Sequence, residues 1–441
     1  MKCPNLSPWL LLLGFTAPLF GQTLPPLVAS AGIAPGERRG SAVADAGDLD
    51  ADGIADFWVG SPFDSTIGFQ AGAVRAISGA DGGVLATCFG SAAVDHFGWA
   101  IAAFPDVNGD GVRDLAIGAP DSDVQAQNGG AVRVLSGANG GLLFTVAGSS
   151  SNSAFGFSVA AAGDVNGDGT QDFSVGAPFD AFGGTDAGAV FTYSGVNGAV
   201  LAHHPGSSGD RLGIAVAGAG DVDGDNRADI LGGADQDASG TGRVHLWSGR
   251  TGALLRTLVG TDAGGHFGGA LAGGFDATGD GVPDVAVGAN AALRHGQPSG
   301  AAWIFSGTSG APCFEAFGEG AHESFGSALA LVPDLDGDGR ADLVVAAAVE
   351  NGAAGGRGVV RAFGGSSRRL LRTWRGPSGG DRFGWALCVG SDRDGDNLPE
   401  LIVGAPKDDS PLVDSGTVFV LSTRAAAPVP YCTAKPNSQG C

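Results

Sequence analysis

Short apolar segments separated by polar, glycine-rich turns recur along this chain. Residues 97–104, Phe-Gly-Trp-Ala-Ile-Ala-Ala-Phe, are small and apolar and lack the three-to-four-residue spacing of an amphipathic helix. This pattern predicts a strand buried on both faces. Three further apolar runs follow at residues 115–118, 131–135 and 142–146, and turns rich in glycine, proline or asparagine separate them. Together the four runs predict a four-stranded antiparallel sheet.

A nine-residue acidic run of the form D-x-[DNT]-x-D-[GN]-x-x-[DE] joins the first of these strands to the second, and it recurs along the chain. The seven runs begin at Asp48, Asp106, Asp164, Asp221, Asp276, Asp334 and Asp392, in steps of 58, 58, 57, 55, 58 and 58 residues. Such a constant period is typical of an array of one supersecondary unit. Since four antiparallel strands make a propeller blade, the sequence predicts an all-β fold, a seven-bladed β-propeller of four-stranded antiparallel blades.

The two ends of the array predict how the ring closes. The seventh unit stops after its third strand, at residues 416–421, and a linker-like segment follows. Residues 27–31 precede the first unit in the register where other units carry their fourth strand. We therefore expect the N-terminal strand to pair antiparallel with residues 416–421, which closes the ring and removes its open edges.

The chain outside the array predicts an extracytoplasmic protein. Residues 1–21 have the short apolar stretch of a secretory signal peptide, residues 22–422 form the propeller, and residues 423–441 form a linker and a cysteine-containing tail that resembles the start of a further module. No later segment has the length of apolar sequence that spans a bilayer. We expect a secreted or cell-surface monomer with no transmembrane segment after signal cleavage.

The cysteines do not form a recognisable disulfide framework. After signal cleavage five remain, an odd number scattered over different repeats. Cys432 and Cys441 are close enough in sequence to pair, whereas Cys88, Cys313 and Cys388 are expected to be small buried residues.

Composition and charge limit the possible partners. Glycine accounts for 80 of 441 residues, but the glycines recur at fixed repeat positions and therefore mark turns. The formal net charge is −22, and the acids are concentrated in the seven runs. Seven bound divalent cations would bring the net charge to about −8, an ordinary value for a soluble surface. Because the sequence has no basic stripe, nucleic acid is not an expected partner.

The acidic runs have the composition of a site for a hard cation. Calcium takes about six to eight oxygen ligands from carboxylates and backbone carbonyls. Positions 1, 3, 5 and 9 of each run supply side-chain oxygens and position 7 supplies a carbonyl, while glycine or asparagine at position 6 permits a positive φ. The expected side-chain ligands, loop by loop, are Asp48, Asp50, Asp52, Asp56; Asp106, Asn108, Asp110, Asp114; Asp164, Asn166, Asp168, Asp172; Asp221, Asp223, Asp225, Asp229; Asp276, Thr278, Asp280, Asp284; Asp334, Asp336, Asp338, Asp342; and Asp392, Asp394, Asp396, Glu400. The expected carbonyl ligands belong to Ile54, Val112, Thr170, Arg227, Val282, Arg340 and Leu398.

Two alternatives to these calcium loops were weighed. An EF-hand needs a glutamate at position 12 and flanking helices, but position 12 holds an aliphatic residue or glycine in every run. Solvated acidic turns are the other alternative, and mutually repelling carboxylates repeated seven times make it the weaker one. We expect up to seven structural Ca²⁺ ions. Thr278 in the fifth loop and Glu400 in the seventh leave the occupancy of those two loops open.

The repeated motifs resemble those of a known family. Phe97-Gly98, the acidic run and Gly118-Ala119-Pro120 recur in other units, and this set is similar to the FG-GAP repeat of integrin α-subunits and their bacterial relatives. The resemblance implies a seven-bladed propeller whose Phe-Gly and Gly-Ala-Pro segments pack between blades, with calcium in the loops between first and second strands. Leu212-Gly213 departs from the Phe-Gly motif, and the fourth, fifth and sixth units lack the proline. The additional segments that integrins use for adhesion are absent from this sequence, so adhesion does not transfer.

No catalytic constellation stands out in the sequence. His96 and His266 both precede Phe-Gly and are repeat features, and the other histidines have no partner at ligand or triad spacing. The tryptophans mostly fall in predicted strands, where core packing is favoured over sugar stacking. They are Trp58, Trp99, Trp247, Trp303, Trp374 and Trp385.

The loops between second and third strands are therefore the expected functional surface, since binding concentrates in loops on a rigid scaffold. These upper-face loops cover residues 62–71, 120–129, 178–187, 234–241, 290–299, 348–357 and 406–415. The leading hypothesis is a secreted, calcium-stabilised, non-catalytic propeller that binds a protein or polysaccharide. The alternatives are a calcium-dependent polysaccharide lyase or hydrolase and a structural cell-envelope component. Convergent Arg, His, Tyr or carboxylate groups in one cleft would favour an enzyme, and a flat polar surface would favour binding.

Overall fold

The chain folds as a β-propeller. The computed structural model describes residues 26–237, 239–349 and 356–424. Within these residues every helix or strand element is a β-strand, and the strands form seven four-stranded antiparallel sheets and one short hairpin. This arrangement confirms the predicted fold class. The expected signal peptide and the tail with Cys432 and Cys441 lie outside the described residues.

Each blade is one sheet, and its strands are numbered here from the first, nearest the propeller axis, to the fourth, on the outside. In that order the strands are Ala42–Gly47, Asp56–Ser61, Ala73–Ile77, Val84–Phe89 in blade 1; Ile101–Phe104, Asp114–Ala119, Ala131–Leu135, Leu142–Ala147 in blade 2; Ser158–Gly163, Asp172–Ala177, Ala189–Tyr193, Val200–Pro205 in blade 3; Leu212–Gly220, Asp229–Ala234, Arg243–Trp247, Leu254–Val259 in blade 4; Ala270–Phe275, Asp284–Ala289, Ala301–Phe305, Pro312–Phe317 in blade 5; Phe325–Val332, Asp342–Ala347, Val359–Phe363, Leu370–Arg375 in blade 6; and Ala386–Val389, Leu401–Ala405, Thr417–Leu421, Val28–Ala31 in blade 7. The short hairpin pairs Leu293–Arg294 with Gln297–Pro298 in a loop of blade 5.

Burial follows the position of a strand in its blade. The second strand of blade 2, Asp114–Ala119, is buried at every residue, whereas the fourth strand, Leu142–Ala147, is exposed or half-buried throughout. Seven hydrophobic clusters fill the seven spaces between neighbouring blades. Between blades 2 and 3, for example, the rings of Phe104 and Phe173 stack with centroids 6.0 Å apart. The core is therefore a ring of inter-blade layers.

The N-terminal strand closes the ring, as predicted. Val28 lies opposite Val420 and Ala31 lies opposite Thr417 in an antiparallel ladder. The backbone N–H of Leu27 donates to the carbonyl of Val420 at 2.8 Å, which extends this pairing by one residue. The outer edge of the third strand in blade 7 is thereby satisfied by chain from the other end of the array.

A buried ionic cluster lies where blade 7 meets blade 1, and the sequence analysis missed it. Arg39-Gly40 occupies the place that Phe-Gly takes in most other blades, and Arg39 is only 1% exposed. Its Nε donates to Glu37 Oε1 at 3.1 Å. Nearby, Arg75 Nη2 donates to Asp64 Oδ2 at 2.5 Å. Each buried guanidinium thus has a buried carboxylate partner, as charges at such depth require.

The Gly-Ala-Pro and Phe-Gly segments pack against each other between blades, as the resemblance implied. A Cβ on Gly118 would lie 2.0 Å from the carbonyl oxygen of Gly156 in the next blade, so only glycine fits there. Gly98 adopts a φ of +90°. This turn starts the first strand of blade 2 at Ile101, so the predicted strand at residues 97–104 was too long.

Because neighbouring strands in a blade run in opposite directions, the loops that connect them lie alternately on two faces of the propeller. The Phe-Gly segments and the second-to-third loops lie on one face, called the upper face. The acidic loops and the third-to-fourth turns lie on the other, called the lower face. Within the described residues, nothing helical has the length and hydrophobicity needed to cross a bilayer.

Candidate functional site

The aspartate at position 1 folds each acidic loop around its own carboxylate. In all seven loops the backbone N–H of position 6 donates to Oδ2 of this aspartate. In the second loop, Asp106 accepts from Gly111 and from Gly109, both at 2.6 Å. The hydrogen bond from Gly111, with those from other backbone N–H groups, lowers the pKa of Asp106. The carboxylate of Asp106 therefore stays ionised and is suited to a cation.

The acid at position 9 anchors each loop to the blade. Its side chain is 0% exposed in all seven loops. In the second loop, Asp114 accepts from Val107 N at 2.8 Å and from Gly137 N, in the third-to-fourth turn, at 3.1 Å. Burial raises the pKa of the acid at this position, to about 6 for Asp342 and to about 7 for Glu400. A bound divalent cation would offset that desolvation.

The remaining predicted positions also lie in the loops. In every loop the N–H of position 7 donates to the carboxylate at position 5, which fixes the turn between them. Four loops bring three or more carboxylates together, each offering an oxygen within 4.8 Å of the others. These groups are Asp48, Asp50 and Asp56; Asp221, Asp223 and Asp225; Asp334, Asp336 and Asp342; and Asp392, Asp394, Asp396 and Glu400. The other three loops hold Asn108, Asn166 or Thr278 at position 3 and form no such group among the described residues.

The seventh loop, whose occupancy the sequence left open, gathers the largest of these groups. Its Asp396 Oδ2 and Glu400 Oε1 are buried and lack a hydrogen-bond partner among the described residues. Orphaned carboxylate oxygens at this depth are costly. The donor set consists of hard oxygen ligands, so these residues fit a calcium-sized cation.

A second candidate site is a cavity of about 500 Å³ on the propeller axis. The residue that follows Phe-Gly, or its equivalent, lines this cavity in every blade, which places the cavity on the upper face. The seven residues are Ser41, Trp99, Phe157, Ile214, Gly269, Ser327 and Trp385. We call this space the axial cavity.

Aromatic side chains line one side of the axial cavity. The ring of Trp99 lies 6.3 Å from Phe63 and 5.5 Å from Phe157, so these three form a continuous arc. Trp385 is 43% exposed beside them. The predicted core role is therefore wrong for Trp99 and Trp385, because both lie just before their first strands begin. It is confirmed for Trp58, which is fully buried.

Cationic groups stand beside these aromatic rings. The guanidinium of Arg38 lies 4.4 Å from the centroid of Phe63, and that of Arg382 lies 4.9 Å from the centroid of Trp385. Lys407 also lines the axial cavity. Among the described residues, none of these three forms an ion pair with a carboxylate.

One histidine and one acid line the opposite side. His266 Nδ1 lies 2.9 Å from Asp235 Oδ2, and this hydrogen bond raises the pKa of the imidazole. The hydroxyl of Ser327 donates to the carbonyl of Ala346 at 3.3 Å and accepts from Ala348 N at 3.2 Å. The upper face is therefore not flat, and it gathers charged groups in one cleft. Ser327, however, is held by these two backbone groups.

The sequence analysis missed the axial cavity. The residues after Phe-Gly share no chemical type, so no motif marks them. The residue before Phe-Gly, or its equivalent, has a positive φ in each blade, but its residue type varies and gives no sequence signal of this turn. These residues are Arg38, His96, Ala154, Arg211, His266, Ser324 and Arg382, with φ between 52° and 59°.

Comparison with known proteins agrees with this geometry. The FG-GAP repeat model matches residues 97–135, 155–193, 267–305, 325–362 and 383–421, which are blades 2, 3, 5, 6 and 7. Blades 1 and 4 have Arg39 and Leu212 in place of the motif's phenylalanine.

Relatives and a solved structure extend the comparison. Integrin alpha-3 of Cricetulus griseus is 37% identical over 160 residues, which is 32% of this chain and 14% of that protein. Integrin alpha-5 of Xenopus laevis is 34% identical over 208 residues, 43% of this chain and 19% of that protein. The matched regions thus span less than a fifth of these integrins. The crystal structure of BBS1N in complex with ARL6DN, soaked with lead, covers 90% of this chain and 95% of its own with a TM-score of 0.53, but only 12% identity. It supports the fold alone.

The fold and the repeats define a seven-bladed propeller of ligand-binding type. Five of its blades match the FG-GAP repeat, and its propeller is integrin-α-like. Integrin α propellers bind divalent cations, and acidic clusters are present in four loops of this chain. The integrin α homologues are extracellular or surface binding proteins and not enzymes.

Proposed function

We propose that this protein is a secreted or cell-surface binding propeller that is stabilised by Ca²⁺ at its lower face and engages a protein or polysaccharide at its upper face. The observation that carries the proposal is the axial cavity, to which every blade contributes a residue. Its exposed aromatic rings and unpaired cations are the groups that recognise ligands, and concave sites of this size are where ligands bind.

Calcium is the proposed cation because the expected donors are oxygen atoms of carboxylates, amides and backbone carbonyls, with one hydroxyl at Thr278. Such hard oxygen ligands suit Ca²⁺ or Mg²⁺, and Ca²⁺ accepts the larger and less regular set. The proposed ligand set is the one given above for positions 1, 3, 5, 7 and 9. Extracellular modules bind Ca²⁺ with a Kd of about 10⁻⁴ to 10⁻³ M, which matches the proposed location.

The proposal is tested by measuring binding to a glycan array and to a panel of purified extracellular proteins, in calcium and in excess chelator. Arg382→Gln removes one cation from the axial cavity. Arg369→Gln is the matched control, since Arg369 is an exposed arginine in the third-to-fourth turn of blade 6 on the lower face. We expect one ligand class to bind in calcium and to be weakened by Arg382→Gln alone. If Arg382→Gln and Arg369→Gln bind that ligand equally well, an upper-face site is refuted.

A calcium-dependent polysaccharide lyase or hydrolase is the second candidate, favoured by one observation. His266 and Asp235 form a hydrogen-bonded pair beside cationic groups in one cavity. Such a pair is able to move a proton. Incubating the protein with a polysaccharide panel and measuring new reducing ends and the ultraviolet absorbance of unsaturated sugars decides between the two candidates. Turnover that His266→Gln abolishes would establish the enzyme, and binding without turnover would establish the binding propeller.

A further inference from the structure

We propose that the axial cavity binds an acidic sugar chain, with the carboxylates of uronic-acid units on its cations and the sugar rings on its aromatic faces. This inference rests on the proposed function and names the ligand class of the same site. It is carried by charge, by the aromatic arc and by the shape of the cavity.

The charge of the axial cavity is opposite to that of the protein. The whole chain has a net charge of −22, and Lys407 is the only lysine among the described residues. Yet this lysine, Arg38 and Arg382 line one cavity in which Asp235 supplies the only carboxylate among the described lining residues, and that carboxylate is hydrogen-bonded to His266. The three cations have no ion-pair partner among the described residues. A local positive field on an acidic protein attracts an anion to this site and repels it elsewhere.

The aromatic rings exclude a cationic ligand and suit a sugar. The two arginines already occupy cation–π positions over Phe63 and Trp385. A ligand cation would meet these like charges. Among the described residues, no cation lies over the rings of Trp99 or Phe157, which pack together in the arc. The negative face of such a ring attracts weakly positive C–H groups, which a pyranose presents on one side.

The shape of the cavity favours a short sugar segment over a protein surface. Its volume of about 500 Å³ lies within the range of small-ligand pockets. A protein partner would instead need a broad interface of about 800 Å² on each side. The side opposite the aromatic arc has room at Gly269 and carries the polar side chains of Ser327 and Asn290. Hydroxyl groups of a sugar would face this side.

The test uses the full chain in saturating calcium and isothermal titration calorimetry with three probes. The first is a short oligogalacturonate, an unbranched oligomer of a uronic acid. The second is the same oligomer with methyl-esterified carboxylates, which keeps the rings and removes the charge. The third is poly-glutamate, which keeps the charge and removes the rings. We expect the oligogalacturonate to bind at least about tenfold more tightly than either of the others.

Variants locate the binding. Lys407→Gln removes a charge and Trp99→Ala removes a stacking face of the aromatic arc, and each is expected to weaken oligogalacturonate binding about tenfold. Arg369→Gln is the charge control. Phe69→Ala is the aromatic control, because Phe69 is 67% exposed on a loop of the upper face and does not line the axial cavity. Both controls should change the affinity less than about twofold. Unchanged melting temperatures confirm that each variant is folded.

Each outcome has a definite meaning. Tight binding that both cavity variants lose and both controls keep supports the inference. Equal binding of poly-glutamate would overturn the sugar component, and equal binding of the esterified oligomer would overturn the charge component. If oligogalacturonate does not bind although another macromolecule still binds the upper face, this inference fails and the proposed function stands. If no probe, glycan or protein binds in calcium, both fail.

Discussion

Removal of calcium is the perturbation that the lower face predicts most directly. Four acidic loops bring three or more carboxylates together, and the acid at position 9 is fully buried in all seven. Without a cation these carboxylates repel one another and the buried one bears a desolvation penalty. Chelation should therefore destabilise every blade at the link between its acidic loop and its third-to-fourth turn.

The stability lost on chelation follows from the number of loops that bind calcium. A site held at ten times its Kd stabilises the folded state by about 1.4 kcal/mol. Four loops would then contribute about 6 kcal/mol and seven loops about 10 kcal/mol. For a domain of about 400 residues the entropy of unfolding is about 0.8 kcal/mol/K. Chelation should lower the melting temperature by about 7 to 12 °C.

Differential scanning calorimetry of the full chain in millimolar calcium and in excess EGTA measures this shift. Magnesium at the same concentration is the control, and it should restore less of the melting temperature because it demands a smaller octahedral set. Asp342→Asn, which keeps the side-chain volume and removes one buried charge in the sixth loop, should lower the melting temperature in calcium and reduce the further loss on chelation. A melting curve in EGTA that superimposes on the curve in calcium would refute the reasoning.

Three further predictions concern the scaffold. Gly118→Ala should destabilise the folded chain by about 2 to 4 kcal/mol in urea unfolding, because its Cβ would meet the carbonyl of Gly156. Gly68→Ala is the control and should be nearly neutral, since the nearest atoms to an added Cβ at Gly68 lie 3.7 Å away. A chain lacking residues 1–31 should melt lower and aggregate more than a chain lacking residues 1–25, since it exposes the edge of Thr417–Leu421; equal stability by calorimetry and light scattering would contradict this. Burial against Trp247 lowers the pKa of His204 to about 4. Between pH 6.5 and about 4 the unfolded state therefore binds more protons than the folded state, and stability should fall as the pH drops through that window. A pH titration of the unfolding free energy in which His204→Gln has the same slope as the unsubstituted chain would count against this.

Much of the fold could be predicted because one unit is repeated seven times. The apolar runs, the acidic loops and the missing fourth strand in the last unit indicated the blades and the closing strand near Val28. The burial of Arg39 and Glu37 could not be predicted, because their spacing does not show that the closing strand, Val28–Ala31, contacts Arg39. The predicted first strand of blade 2 was too long because an apolar run does not show that Gly98 has a positive φ.

The two candidate sites also differ in how far they could be predicted from the sequence. The acidic loops are local in sequence, so their residues could be named from spacing alone. The axial cavity is lined by residues from all seven blades, and residues as different as Gly269, Ile214 and Trp385 occupy the same place in the repeat. Only the ring geometry brings them together, and for that reason Trp99 was assigned to the core.

The calcium content of the purified chain tests the central claim most directly. After equilibrium dialysis against millimolar calcium, metal analysis by plasma mass spectrometry should find four to seven Ca²⁺ per chain, because four loops gather three or more carboxylates and seven carry the ligand pattern. Asp342→Asn should lower that number by about one. Fewer than four ions per chain, or a number unchanged by this substitution, would contradict the account.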